Sequence, residues 1–242
     1  MEMNMNNTIN ELTERKSVRV YTEQTISPEM KKAILEAAVQ APTAGNQQLY
    51  TILDITSQEL KETLSETCDH QPFIAKAQIV LIFCADCQKW YDAYKVGNCM
   101  PRKPEAGDLM LAVTDAAIAA QNAVTAAHSL GIGSCYIGDI MEQCERHREL
   151  LQLPSYVFPA VMLVFGYPTE QQKQRKKPKR CDLKYIVHEN GYHRLTEKEL
   201  KEMLEQEDKN FEDWIQAFCK RKYNSDFSKE MSRSVKEYLK KF

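Results

Sequence analysis

Apolar positions along this chain follow two different rhythms. Met30, Ala33, Ile34, Ala37 and Ala41 recur at helical spacing. Ser27-Pro28 ahead of them offers an N-cap hydroxyl and a first-turn proline, and Pro42 closes the run. Gln78 to Cys84 is instead an unbroken, β-branched apolar stretch that predicts a buried strand. Leu49–Thr56 and Phe158–Phe165 predict two more, and a short fourth reaches Ile137 after the turn Gly131-Ile132-Gly133. Further helices are predicted over Thr8–Arg15, after the cap Ser57, over Gly107–Ser129, over Glu142–Leu151, after the Thr196/Glu199 capping box and over Ser228–Phe242. Between the first two helices, Ser17 to Thr22 reads as extended, and Pro42 to Asn46 as a tight loop. Helices before, between and after about four strands, without repeated strand–helix–strand units, predict an α+β fold.

The stretch from Leu109 to Ala127 is the longest apolar one, but Asp115, Gln121 and Asn122 interrupt it and alanine dominates it. A membrane span tolerates such groups poorly, so a buried helix is expected. Among 242 residues, 32 basic side chains face 34 acidic ones for a formal charge of −2, which argues against a general nucleic-acid coat. Eight glycines and nine prolines exclude a low-complexity chain. The first residues carry no basic, apolar leader; with eight cysteines, this sets the expectation of reduced thiols in the cytoplasm.

Familiar catalytic motifs are mostly missing. Gly131-Ile132-Gly133-Ser134-Cys135-Tyr136 starts like a dinucleotide fingerprint, but Tyr136 replaces the last glycine and the segment leads from helix to strand. No phosphate loop, nucleophile elbow or His-x-x-x-His pair is present, and the five histidines read as surface or satisfied groups, so no metal is expected. Cys84-Ala85-Asp86-Cys87 resembles a redox pair, yet Cys84 ends a strand rather than opening a helix, and packing is the simpler role. Two basic clusters remain. The run from Lys173 to Arg180 could be a solvated linker, a nucleic-acid patch or an anion clamp. In Arg15-Lys16-Ser17-Val18-Arg19, an extended backbone turns residues 15, 17 and 19 to one side, where two guanidiniums and a hydroxyl suit a phosphate.

These pieces together resemble the FMN-dependent nitroreductase/flavin reductase family, in particular its NADPH-preferring, oxygen-insensitive branch. The resemblance rests on Arg15 to Thr22, on Ala41-Pro42-Thr43-Ala44-Gly45-Asn46-Gln47-Gln48, on Gln71, on Phe83 to Asp86, and on Gly131 to Gly138. Phe165-Gly166-Tyr167-Pro168 and Arg180 followed by His188-Glu189-Asn190 complete it. It implies a nitroreductase-like fold, with a central, mostly antiparallel sheet flanked by helices in an intertwined homodimer cored by the Ala-rich helix. Residues 1–195 would form the FMN-binding domain and 196–242 a helical extension packing on the dimer. Arg15, Lys16, Ser17 and Arg19 would hold the FMN phosphate and ribityl chain, and Thr43 and Asn46 would come from the partner's loop. Gln71 would reach the flavin ring or ribityl, Tyr136, Gly138 and Asp139 would lie along the ring, and Arg180 would close on the phosphate. Pro178 stands where the family usually has a lysine, so the second charge there falls to Lys177 or Lys179; Thr43-Ala44 stands where a serine pair is common.

The implied activity is ping-pong transfer of hydride from NAD(P)H, NADPH favoured, through FMN to nitroaromatic, quinone or flavin acceptors, with the cofactor rather than a catalytic side chain carrying the redox work. Lys220, Arg221, Lys222 and Arg233 could clamp a 2′-phosphate or form an ordinary solvated face. A flavin-binding protein without turnover is the alternative on the same fold. A nucleic-acid or membrane partner is not expected.

Overall fold

The computed structural model describes residues 6–206 and 209–242. In chain order the elements are α1 (Asn7–Glu14), α2 (Pro28–Val39), β1 (Tyr50–Asp54), α3 (Gln58–Thr67), α4 (Phe73–Lys76), β2 (Ile79–Asp86), α5 (Gln88–Val96) and α6 (Ala106–Ser129). There follow β3 (Gly133–Ile137), α7 (Cys144–Leu150), β4 (Val157–Gly166), α8 (Glu170–Gln174), α9 (Glu197–Met203), α10 (Phe211–Lys222) and α11 (Asp226–Leu239). The fold is α+β, as the element order predicts.

Local chemistry explains most of the helix starts. Ser27 Oγ accepts from Met30 N and Ser57 Oγ from Leu60 N, each at 3.2 Å, and both halves of the Thr196/Glu199 box form. Four helices lie outside the sequence expectations: α4, α5, α8 and α10. Helix α5 is started by Asp86, whose Oδ1 accepts from Lys89 N at 3.2 Å, from a position inside the preceding strand. Thr169 caps α8 by accepting from Gln172 N at 3.4 Å, within a segment too polar to show a period.

Strands run in the order β1-β2-β4-β3, each pair antiparallel. Every residue of β2 is buried, as expected of a central strand covered on both faces. Helix α6 packs on the sheet and against α2. Ala112, Ala116, Ala119, Ala120 and Ala123 are fully buried, and their small side chains allow that close approach. α6 is long and apolar enough to cross a membrane, but here its apolar side is the roof of the core, as the polar interruptions predict.

The extended N-terminal segment lies beside β3. Val18 N donates to Ser134 O at 2.9 Å, Ser17 bridges Ser134 in parallel fashion, and Thr22 N donates to Tyr167 O at 2.8 Å. Two glycines admit this strap: a Cβ on Gly133 would lie 2.6 Å from Val18 Cγ2, and one on Gly166 would lie 2.5 Å from Tyr21 Cδ1.

The chain divides into two compact units, one running to Arg175 and rejoined by Glu230–Phe242, the other Lys176–Lys229. These bounds differ from the 195/196 division that the resemblance implies. The second unit is held by its own contacts, among them Tyr185 OH to Glu202 Oε2 at 3.0 Å and the Trp214–Phe218 ring pair at 5.3 Å.

Candidate anion and cofactor site

The strap turns Arg15, Ser17 and Arg19 toward Cys135 on β3. Burial pushes the Cys135 thiol up, against the positive charges of Arg19 and Arg15 and hydrogen bonding with Ser17 and Arg19. Arg15 also faces Tyr136, whose phenol is pushed up to about 12 by burial with Arg15 acting in the opposite sense. Arg15 is half-buried, and its Nη1 is shielded from solvent without a hydrogen-bond partner. Arg19 is exposed, with its guanidinium 5.8 Å from the Phe73 ring centroid, at the edge of a cleft of about 690 Å³ that Lys76 also lines.

Lys16 points elsewhere, as alternation along an extended chain requires. Its ammonium donates to the carbonyls of Lys173 and Arg175, each at 2.5 Å. Arg175 in turn places Nη2 3.5 Å from Ser17 O, and Gln172 Oε1 accepts from Arg19 N at 3.2 Å. Arg175 is thus a fourth cation at the strap that sequence reasoning left inside an undifferentiated basic run. The signal for it was Thr169-x-x-Gln172, the pattern of a capping box. Arg15, Lys16, Arg19 and Arg175 form no ion pair among the described residues.

Of the other predicted residues, those before Arg175 fall in two places within the first unit. In the 43–48 loop, Thr43 Oγ1 accepts from Gln48 N at 3.0 Å, and Gly45 and Asn46 take left-handed φ of 58° and 56°. The loop is moored to α6 by Asp115, which accepts from Ala44 N at 3.0 Å and Leu49 N at 3.2 Å. The polar break in the apolar helix is therefore a loop anchor. Gln71 meets Asp139, with Nε2 donating to Oδ2 at 2.9 Å. Behind them lies Glu142, buried, with Oε1 unpartnered; burial first, then Asp139, Asp69 and Glu230, push its carboxyl up to about 7. Tyr136 OH donates to Gln121 Oε1 at 3.1 Å, and Gly138 precedes the short turn Asp139–Met141. Lys179 and Arg180 lie in the second unit and are exposed there.

Other sequence candidates are used structurally. Cys84 and Cys87 are buried and their thiols are pushed up to about 12 by burial, which suits packing rather than thiolate chemistry. His147 is buried with Nδ1 3.0 Å from Ile140 O and Nε2 2.8 Å from Thr67 Oγ1, and burial lowers its pKa. Arg233 is bound to Glu145 and Glu230 and is not a free clamp. A cleft of about 490 Å³ between α5 and the start of α6, lined by Trp90, Tyr91 and Tyr94, contains none of the predicted site residues.

Residues 12–167, from the last turn of α1 to just past the sheet, match the sequence model of the Nitroreductase family. The chain belongs to the nitroreductase family. A Bacillus subtilis relative, "FMN reductase [NAD(P)H]", is 30% identical over 239 residues, covering 98% of this chain and 92% of its own. An "Oxygen-insensitive NADPH nitroreductase" from Salmonella typhimurium is 35% identical over 202 residues, covering 84% and 81%. Among solved structures, Bacillus megaterium NfrA2 superposes with a TM-score of 0.79 at 28% identity, covering 95% of this chain and 98% of its own. The NfrA1 nitroreductase from Bacillus subtilis gives 0.77 at 29%, covering 93% and 98%. The nitroreductase fold expected from the motifs is therefore the fold of this chain.

Proposed function

We propose that this nitroreductase-family chain is an FMN-dependent oxidoreductase that takes hydride from NAD(P)H, with NADPH preferred, and delivers it to nitroaromatic, quinone or flavin acceptors. The observation that carries this reading is the strap of unneutralised cations in which Arg15 Nη1 is buried without a partner. A half-buried guanidinium that lacks a hydrogen-bond acceptor is costly, and a bidentate phosphate removes that cost. FMN fits this set: Arg15, Ser17 and Arg19 would hold its phosphate. Bound FMN would supply the two-electron redox chemistry.

In this assignment Gln71, Tyr136, Gly138 and Asp139 border the flavin ring. Thr43 and Asn46 act on the partner subunit's site in a homodimer. Support for that dimer comes from the exposed apolar side chains Val39, Met110 and Leu111 on α2 and α6, around helices otherwise devoted to the core. Donor and acceptor alternate at the flavin that this cation-lined site would hold, the ping-pong order. All eight cysteines are free thiols, in keeping with a reducing cytoplasm.

The test is a visible spectrum of the purified protein before and after anaerobic NADPH. Yellow protein that bleaches, faster with NADPH than with NADH, is the expected result. A yellow protein inert to both donors would make it a flavin carrier, and a colourless protein that takes up no added FMN would overturn the reading altogether.

A further inference from the structure

The Lys16 side chain leaves the strap on the face opposite Arg15, Ser17 and Arg19 and ends between two carbonyl oxygens at the C-terminal end of α8, those of Lys173 in its last turn and of Arg175 just after it, at 2.5 Å each. Carbonyls at a helix C-terminus lack intrahelical donors and attract cations, so this ammonium is consumed in a tie between residues 157 and 159 positions apart. Two further bonds close the tie on either side: Arg19 N to Gln172 Oε1 at 3.2 Å and Arg175 Nη2 to Ser17 O at 3.5 Å. Arg175 is thereby brought back to the middle of the strap, its guanidinium beside the backbone of the residue whose hydroxyl faces the anion site. A carbonyl occupies one of its five donors, and no carboxylate pairs with it among the described residues.

We propose that Lys16 is a positioning residue and Arg175 a phosphate-binding one: Lys16 clasps the end of α8 so that Arg175 joins Arg15 and Arg19 as a third guanidinium for the FMN phosphate. This deepens the FMN reading and rests on it. It assigns Lys16 differently from the family resemblance, which would put its charge on the phosphate directly. The two roles separate cleanly, because a clasp needs hydrogen bonds to two carbonyls whereas a ligand needs only to reach the anion.

The discriminating experiment titrates the full-length chain, freed of bound flavin, with FMN and with riboflavin, which lacks the phosphate, following flavin fluorescence. Lys16→Met and Arg175→Met should each weaken FMN about tenfold, roughly one charge-assisted hydrogen bond, and leave riboflavin affinity unchanged. The double variant should be no weaker than Arg175→Met, because both changes remove the same contact, and Lys16→Arg should recover most of the loss. A parallel fall in FMN and riboflavin affinity would overturn the proposal by making the clasp merely structural. So would additive losses, which would make Lys16 an independent phosphate ligand, or an FMN affinity indifferent to both substitutions. Wild-type protein that binds FMN no better than riboflavin would instead overturn the phosphate site itself.

Discussion

Arg233 on α11 donates to both oxygens of Glu145, at 2.9 and 2.8 Å, and to both of Glu230 at 2.8 Å. Its fork holds both carboxyls down to about 2 and ties α11 to α7. Arg15 sits in the same compact unit, half-buried, with Nη1 unsatisfied and Arg19 turned to the same face. One guanidinium is spent on the fold and the other is held in reserve. Sequence cannot separate these uses, since both arginines lie in polar stretches with acidic neighbours, Glu14 before Arg15 and Glu230 before Arg233. What separates them is whether the fold brings a carboxylate within reach.

The largest effects should come from exchanging these roles. Arg15→Met should lower FMN affinity by about 100-fold, since it removes up to two charge-assisted hydrogen bonds. It should leave the melting temperature of the flavin-free chain unchanged or higher, because like charges are thinned. Arg233→Met should do the reverse, lowering Tm by a few degrees with FMN affinity within about twofold of wild type. Flavin titration and thermal melts of both variants check the pair; a Tm loss in Arg15→Met equal to that in Arg233→Met would erase the distinction.

An intermediate effect tests whether the cations are held in place by packing. Gly133→Ala puts a methyl 2.6 Å from Val18 Cγ2, and overpacking of this kind costs about 1–3 kcal/mol. The strap must lift, so FMN affinity should fall together with urea stability. Because the Val18 Cβ would itself lie 2.7 Å from the new methyl, only Val18→Gly makes room for it, and adding that change should restore most of the lost affinity. If Gly133→Ala destabilises the chain yet binds FMN normally, the strap's register on β3 does not set the site.

Much of this was legible in the chain. Ser27-Pro28, Ser57 and the Thr196/Glu199 box announce their helices because capping is local, and β2 and β4 read as strands because both are buried along nearly their whole length. The one-sided display of residues 15, 17 and 19 followed from strand alternation alone. Helices α5 and α8 escaped notice for physical reasons: α8 is five polar residues with no apolar period, and α5 takes its starting contact from Asp86, the last residue of β2, rather than from a capping side chain that follows the strand. The clasp by Lys16 and the anchoring of the 43–48 loop by Asp115 join residues far apart in the chain, so no local pattern could show them.

Glu142 extends the comparison to the opposite charge and gives the smallest expected effect. It too is buried with an orphan oxygen, Oε1, and its charged neighbours Asp139, Asp69 and Glu230 are all acidic. Unlike an arginine, a carboxyl can settle the imbalance by taking a proton, so no ligand need be inferred. Burial is the first cause that lifts its pKa from 4.5 to about 7. Between those values the native chain keeps a proton that the unfolded chain has released, so this group's contribution is greatest below pH 4.5 and is lost as pH rises through 7. Glu145 and Glu230, held near 2, act with the opposite sign and weaken the fold only as pH falls from 4.5 toward 2. Glu142→Gln keeps the shape without the titration. Melting temperatures across pH 4.5 to 8 should therefore fall for wild type relative to the variant, with the variant more stable at pH 8; His147, whose lowered pKa favours the fold as pH rises toward 6.5, slopes both curves the opposite way and cancels in the difference. Parallel curves would mean that Glu142 is ionised in the native state, and an orphan carboxylate would then need a cationic partner just as Arg15 needs an anionic one.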